Sequence, residues 1–101
     1  MEVFFSELAT TKLEELTQYL IENWGIGAKD KFVRKLSDKV IQIQAHPESC
    51  QKSNVAKNLY KCVVTKQTTL YYRINNSTHE IEVATIFDTR QHLNQLNKEI
   101  K

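Results

Sequence analysis

The fold of this chain is decided by two stretches that resemble β-strands: Leu70-Tyr71-Tyr72-Arg73-Ile74 and Ile81-Glu82-Val83-Ala84-Thr85-Ile86-Phe87-Asp88-Thr89-Arg90. Both are rich in the β-branched and aromatic residues that favour strands. The link Asn75-Asn76-Ser77-Thr78 between them is polar and short enough for a hairpin. A similar run at residues 59–65 precedes them across a second short link. The sequence therefore predicts a three-stranded antiparallel meander, with strands over residues 59–65, 70–75 and 80–87.

Alternation along these strands predicts which residues share a face of the sheet. In the first strand, one face carries Tyr60, Cys62 and Val64, and the other carries Leu59, Lys61 and Val63. In the last strand, one face carries Ile81, Val83 and Phe87, and the other carries Glu82, Ala84, Ile86 and Asp88. Apolar residues occur on both faces, so we expect one side of the sheet to be covered and the other to be partly open.

The segment before the meander reads as one strand followed by two helices. Residues 1–5 are β-prone, and Ser6 is placed to cap a helix by accepting from amides of its first turn. The first helix has an apolar stripe at helical spacing and stops near Gly25. That stripe consists of Leu13, Leu16, Leu20 and Trp24. The second helix is predicted over residues 28–45 and ends before Pro47. Its stripe consists of Phe32, Leu36, Val40 and Ile43, widened by Val33 and Ile41.

The two remaining segments complete the predicted architecture. Residues 48–57 are polar without helical or strand period, so we expect a loop. From Thr89 onward, Leu93, Leu96 and Ile100 recur at the spacing of a short C-terminal helix. The prediction is an α+β fold: an N-terminal strand, an αα-hairpin, a three-stranded antiparallel meander and a short C-terminal helix, with the helices packed on one face of the sheet.

Length and composition limit the class of protein. A chain of 101 residues with 41% hydrophobic residues fits a single domain over residues 1–101. The only cysteines, Cys50 and Cys62, lack metal-ligand spacing, so we expect reduced thiols, with Cys62 a small core residue. No apolar run approaches the roughly 20 residues needed to span a bilayer. We therefore expect a cytoplasmic protein without membrane association, metal or cofactor.

Charge is distributed unevenly along the chain. Residues 2–24 hold five acids and one base, whereas residues 49–79 hold five bases and no acid. Those five bases are Lys52, Lys57, Lys61, Lys66 and Arg73. The asymmetry indicates a polyanion or an acidic peptide as partner of the second half. A solvated lysine-rich surface would give the same pattern.

The order and spacing of several segments resemble toxins of the RelE/ParE superfamily, over nearly the whole chain. The segments that carry the resemblance are Leu13-Glu14-Glu15-Leu16, Tyr19-Leu20, Trp24-Gly25, His46-Pro47, Leu59-Tyr60-Lys61, Leu70-Tyr71-Tyr72-Arg73-Ile74 and Ile86-Phe87-Asp88-Thr89-Arg90. The resemblance implies the toxin of a type II toxin–antitoxin pair of the plasmid stabilisation type, neutralised by a cognate antitoxin. It also implies contact with operator DNA only through the antitoxin complex.

Two toxin activities occur in that superfamily, and the resemblance leaves both open. RelE-like members are metal-independent endoribonucleases that cleave mRNA in the ribosomal A site. ParE-like members are non-enzymatic poisons of DNA gyrase. A third alternative is a catalytically inactive family member that acts as a protein-binding module, with Leu93, Leu96 and Ile100 docking a partner.

Five residues are candidates for the functional site by their match to the family's basic positions: Lys57, Lys61, Arg73, Arg90 and His92. Metal-free cleavage at a 2′-hydroxyl needs a base, cations that stabilise the phosphorane and an acid, and His92 titrates near neutral pH. Where ribonuclease members carry an arginine before the central Leu-x-Tyr, this chain has Thr69. No tyrosine follows Arg90. Both departures favour the ParE-like activity slightly.

Each candidate also has a purely structural alternative. Arg73 could form a surface ion pair with Glu82 or Glu80 across the hairpin. Lys57 and Lys61 could be solvated charges that discourage pairing at a sheet edge. His92 could be an ordinary residue of the C-terminal helix. For Arg90, its place just after a strand favours a functional role.

Overall fold

A computed structural model describes residues 1–54 and 58–90 of the chain. The elements in order are β1 (Glu2–Phe5), α1 (Glu7–Trp24), α2 (Ile26–Ala45), β2 (Gln51–Lys52), β3 (Tyr60–Val63), β4 (Thr68–Asn75) and β5 (Glu80–Asp88). The five strands form one sheet in the order β1-β5-β4-β3-β2. Both helices pack on one face of it, and the opposite face, here called the open face, carries no described helix. The predicted α+β fold with an αα-hairpin and an antiparallel meander is confirmed. The predicted C-terminal helix lies, beyond Arg90, outside the described residues.

The sheet extends beyond the meander at both edges. β1 pairs with β5 in parallel, with Val3 opposite Ile81 and Phe5 opposite Val83. At the other edge, β2 pairs antiparallel with β3 through Gln51 and Lys61. The prediction that residues 48–57 form only a loop is therefore wrong. β2 is two residues long and fully polar, so its strand conformation depends on pairing with β3 and leaves no periodic signal.

Ser6 joins the first helix to the sheet. Its hydroxyl accepts a hydrogen bond from the Ala9 amide at 3.0 Å, as predicted for a helix cap, and donates to the Ala84 carbonyl at 2.8 Å. The Ser6 amide donates to the Val83 carbonyl at 3.0 Å. One residue thus ends β1, starts α1 and fixes both to β5.

A β-bulge at Ala84 changes the direction of side chains in the second half of β5. Tyr71 is opposite Thr85, but the next residue, Tyr72, is opposite Val83, so Ala84 has no partner on β4. An extra residue in one strand reverses the alternation beyond it. Ile86 and Asp88 consequently face the helices, together with Ile81 and Val83, while Phe87 lies on the open face. The predicted grouping of Phe87 with Ile81, and of Ile86 and Asp88 with Glu82, is wrong for this reason.

The core lies between the helices and the sheet. Its most completely buried side chains are Ala9, Leu16, Leu20, Ile43, Cys62, Leu70, Tyr72, Ile81 and Val83. Three residues assigned to the helical stripes are exposed instead: Trp24 at 55%, Val33 at 37% and Ile41 at 62%. The face that each helix buries against the sheet is therefore narrower than the apolar stripe in its sequence. Trp24 ends α1 and packs edge-on against Tyr19, with ring centroids 5.7 Å apart.

Gly25 alone connects the two helices. Its φ of 88° is in the left-handed region that side chains with a Cβ rarely adopt, and its amide donates to the Ile21 carbonyl at 2.9 Å. The predicted stop at Gly25 is confirmed, and α2 starts at once with Ile26.

We expect Ser6→Ala to lower the free energy of unfolding by about 1–2 kcal/mol, because it removes a helix cap and the hydroxyl bond to Ala84. Chemical denaturation followed by circular dichroism measures the loss. Ser37→Ala makes the same change on the exposed surface of α2 and should cost nothing. Equal stabilities of the two variants would contradict the role given to Ser6.

Candidate functional site

Two of the predicted site residues, Lys61 and Arg73, lie near each other on the open face. Lys61 is opposite Tyr71, and Arg73 follows two residues later on β4, which makes Lys61 and Arg73 diagonal neighbours. Both side chains are exposed. The Arg73 Nε is 3.6 Å from Glu82 Oε1 on β5, so the ion pair considered from the sequence is present. Because the Arg73 side chain is 54% exposed and that of Glu82 is 34% exposed, solvent screens the pair, which contributes at most about 1 kcal/mol.

Thr69 lies on the same open face, two residues before Tyr71 on β4. Val63 on β3 and Phe87 on β5 are its two cross-strand partners. The position at which a ribonuclease member would carry an arginine is therefore occupied by a short neutral side chain between two apolar ones. Among the described residues, the basic side chains of the open face are therefore Lys61 and Arg73, and Thr69 adds no positive charge to them.

Arg90 lies on the helix side of the sheet, at the end of β5. Its Nε and Nη2 donate to Asp88 Oδ1 and Oδ2 at 3.1 and 2.9 Å, a bidentate ion pair. The Asp88 side chain is fully buried, whereas that of Arg90 is 27% exposed. Thr68 Oγ1 also donates to Asp88 Oδ2 at 2.6 Å, and the Arg90 amide donates to Oδ1 at 3.0 Å. A buried carboxylate requires this many partners, so Arg90 has a structural role whatever else it does.

Arg90 also lines a cleft formed by the αα-hairpin and the β3–β4 turn. Its guanidinium lies 5.2 Å from the centre of the Trp24 ring, within the range of a cation–π interaction. The lining residues are Leu20, Trp24, Ala28, Lys31, Phe32, Lys35, Thr65, Gln67 and Arg90. Lys31 and Lys35 are one helical turn apart on α2, and none of the described residues that line the cleft is acidic. The cleft is therefore cationic, with an indole as one wall.

The cleft was not predicted from the sequence. Lys31 and Lys35 lie off the apolar stripe of α2, and their pattern in the sequence is that of ordinary exposed charges. Their spacing of four residues signals a shared helical face. The tight turn at Gly25 brings Lys31 and Lys35 near Trp24, and the end of β5, which is distant in sequence, adds Arg90.

The predicted site residues are thus divided between two surfaces. Lys61 and Arg73 share the open face, and Arg90 lines the cleft on the helix side. Lys57 and His92 lie outside the described residues. The roles assigned to all five remain predictions.

Tyr72, the buried tyrosine of the central strand, is an internal hydrogen-bond donor. Its hydroxyl donates to the Pro47 carbonyl at 2.6 Å, and its ring stacks on Tyr60 with centroids 5.2 Å apart. Burial, and then the nearby Cys50 thiol, raise the pKa of Tyr72 above its ordinary value. Tyr72 therefore stays protonated at neutral pH and cannot act as a general base there.

Metal binding and membrane insertion are two further properties that the described residues bear on. No group of three or more His, Cys, Asp or Glu side chains there is arranged to hold a metal ion. None of the helices in the described part of the chain has the length and apolar character to cross a membrane.

The family model for the ParE toxin of type II toxin–antitoxin systems, parDE, matches residues 3–93. The chain belongs to this toxin family. The resemblance to RelE/ParE toxins drawn from the sequence is confirmed. No curated protein sequence matches the chain significantly.

Solved structures of similar fold include other members of the RelE/ParE superfamily. The chromosomal ParDE toxin–antitoxin system of P. aeruginosa matches with a TM-score of 0.72 and 13% identity, over 87% of this chain and 95% of that one. The YoeB/ParE toxin of Agrobacterium tumefaciens matches with a TM-score of 0.63 and 15% identity, over 87% and 98%. The intact E. coli RelBE toxin–antitoxin complex matches with a TM-score of 0.60 and 15% identity, over 86% and 94%. At such identities, these matches show the fold of this chain and nothing about its target.

We expect Arg90→Ala to lower the free energy of unfolding by about 2–4 kcal/mol, because it leaves the buried Asp88 carboxylate without its counter-ion. The matched variant Arg73→Ala breaks the exposed pair with Glu82 and should cost less than about 1 kcal/mol. Urea denaturation of both variants at neutral pH measures the difference. Equal losses would mean that Asp88 does not depend on Arg90.

Proposed function

We propose that this ParE-family toxin inhibits growth by binding and poisoning DNA gyrase, and that it does not cleave RNA. The observation that carries the proposal is Thr69, a neutral residue between Val63 and Phe87 where a ribonuclease member would present a cation. Loss of one preorganised cation at a phosphoryl transition state typically costs orders of magnitude in rate. The match to the ParE family model agrees with this choice, although family membership alone does not assign a target.

The ion pairs formed by Arg73 and Arg90 further support a binding function. Arg73 shares its charge with Glu82, and the Arg90 guanidinium holds both oxygens of Asp88. A cation already paired with a carboxylate offers little stabilisation to a second developing anion unless the pair first breaks. Binding to a protein surface demands no such change, because charged and exposed groups need only be complementary to the partner.

We also propose that the toxin is neutralised by a cognate antitoxin, and that it reaches operator DNA only in complex with that antitoxin. The similar P. aeruginosa structure belongs to a toxin–antitoxin system, and the similar E. coli structure is an intact toxin–antitoxin complex. Membership of a family of type II toxins supports the same partner. An adjacent reading frame for a small protein with a DNA-binding N-terminus is the expected genetic arrangement.

Ribosome-dependent mRNA cleavage is the second candidate. Lys61 and Arg73 are diagonal neighbours on an exposed sheet face, a suitable arrangement for contact with a phosphate backbone. With Lys57 and His92 added, as the sequence predicts, such a face would supply cations and one group that titrates near neutral pH. An inactive protein-binding module is the remaining alternative.

Purified toxin should inhibit gyrase-catalysed supercoiling of a plasmid and stabilise gyrase-dependent DNA breaks. We expect the double variant Lys61→Ala, Arg73→Ala to need about ten times more protein for half-inhibition, because two exposed cations at an interface are lost. Arg34→Ala removes an exposed cation of α2 that does not line the cleft, and it should inhibit like the unmodified toxin.

A translating extract supplies the opposing measurement. Cut mRNA that appears only with translating ribosomes, together with unaffected gyrase, would replace the proposal with ribonuclease activity. A full-length protein that neither stops growth nor affects either target would leave only the inactive module. Because Arg90→Ala weakens the fold, Arg90→Lys is the better variant for testing a direct role of Arg90 in toxicity.

A further inference from the structure

The two cysteines of the chain form a cross-strand pair. Gln51 is opposite Lys61 and Lys52 is opposite Tyr60, so the same register continued by one residue puts Cys50, just before β2, opposite Cys62. The two side chains are close enough to interact through a hydrogen bond. Both are free thiols; Cys62 is buried on β3, and Cys50 is half-buried and packs against the core. The Gln42 amide on α2 lies 3.9 Å from the Cys50 sulfur. The two sulfur atoms therefore lie on the helix side of the sheet, under the end of α2.

The hydrogen-bonding pattern places this pair at a position suited to a covalent bridge. The Ser53 amide donates to the Leu59 carbonyl at 2.7 Å, which identifies these opposite residues as a hydrogen-bonded pair. Hydrogen-bonded and non-hydrogen-bonded pairs alternate along an antiparallel ladder. Counting from Ser53 and Leu59, the pair of Cys50 and Cys62 is non-hydrogen-bonded. Cα atoms in such pairs are about 4.5 Å apart with their side chains close together, within the Cα separation of about 4.4–6.8 Å that a disulfide spans.

We propose that Cys50 and Cys62 are an oxidation site, at which a peroxide converts the two thiols into a reversible intramolecular disulfide. The proposal does not depend on the toxin's target. It concerns the covalent state of the edge of the sheet, between residues 50 and 62.

The order of the two steps follows from exposure and acidity. Cys50 is the more accessible sulfur, so it attacks a peroxide oxygen and becomes a sulfenic acid. The O–O bond breaks, and the hydroxide that leaves takes up the proton lost by the Cys50 thiol to give one water. Burial, and then the hydrogen bond and charge of Cys50, raise the pKa of Cys62 to about 12. The Cys62 sulfur then attacks the Cys50 sulfur, and hydroxide leaves with the Cys62 proton as a second water. Two thiols and one peroxide thus yield one disulfide and two waters.

The bridge would tie the sheet edge formed by β2 to the rest of the sheet. In the reduced protein, β2 is held by two residue pairs with β3. A disulfide between residues 50 and 62 would close the segment between them into a loop. This loop lowers the conformational entropy of the unfolded chain and so stabilises the folded state. Strand β3 also carries Lys61 on the open face, so the oxidised state would hold that residue's strand more firmly.

Treatment of the reduced, full-length protein with hydrogen peroxide tests the proposal. The number of reactive thiols in denaturant should fall from two to none, and the product should remain a monomer on non-reducing electrophoresis. The melting temperature should rise by roughly 10 °C and return to its starting value after addition of dithiothreitol. Oxidised glutathione should give the same bridge with release of two reduced glutathione molecules.

Single variants supply the matched controls. Cys50→Ser should leave Cys62 reduced under the same treatment and show no rise in melting temperature. Cys62→Ala should stop at the Cys50 sulfenic acid, which a dimedone probe labels. Disulfide-linked dimers in place of the monomeric bridge, or two thiols that persist in the unmodified protein, would overturn the proposal. The comparison of the unmodified protein with Cys50→Ser is decisive by itself if Cys62→Ala folds poorly.

Discussion

The bulge at Ala84 is the constraint on which the rest of the structure depends. It adds Ala84 to β5, and the Ala84 carbonyl accepts a hydrogen bond from the hydroxyl of Ser6 at the start of α1. Beyond it, the alternation of β5 reverses and Asp88 enters the helix side of the sheet. A carboxylate in that position needs a counter-ion and hydrogen-bond donors, which Arg90 and Thr68 supply. The seating of the first helix and the conformation at the end of the last strand therefore share one origin.

That constraint also changes the role that can be assigned to Arg90, the arginine that follows β5. From the sequence, Arg90 is a cation available to a substrate or target. In the structure its guanidinium is bound in two places by a fully buried carboxylate and faces the Trp24 ring. Loss of activity in an Arg90 variant thus has two physical explanations, a weakened fold or a lost contact. Stability must be measured before such a variant can assign a functional role.

The parts of the fold that were predicted from the sequence are those with a local physical signal. A few neighbouring residues are enough to show the helical spacing of Leu16 and Leu20 on α1 and the apolar stripe of α2 that includes Phe32. The same is true of the cap at Ser6 and the helix end at Gly25. The parts that were missed depend on distant partners. Strand β2 exists because β3 lies beside it, and the apolar residues on both sides of β5 conceal the bulge. The site follows the same rule: alternation placed Lys61 on the face opposite to Cys62, as in the structure, but it did not join Lys61 to Arg73, because their proximity depends on the register between β3 and β4. The partnership of Arg90 with Asp88 was missed, because the bulge that turns Asp88 inward leaves no local signal.

The parallel pairing of β1 with β5 also sets the order in which the molecule can be assembled. Ser6 and Ala84 are separated by 78 positions, so β1 has no strand to pair with until β5 has been synthesised. The αα-hairpin and the meander involve near neighbours in the chain and can form early, whereas closure of such a long loop is slow. Completion of the sheet edge by the first strand is therefore a late event, and a truncated nascent chain cannot acquire the finished surface. In a toxin of this fold, the sheet edge that β1 forms is therefore finished only after β5 has been synthesised.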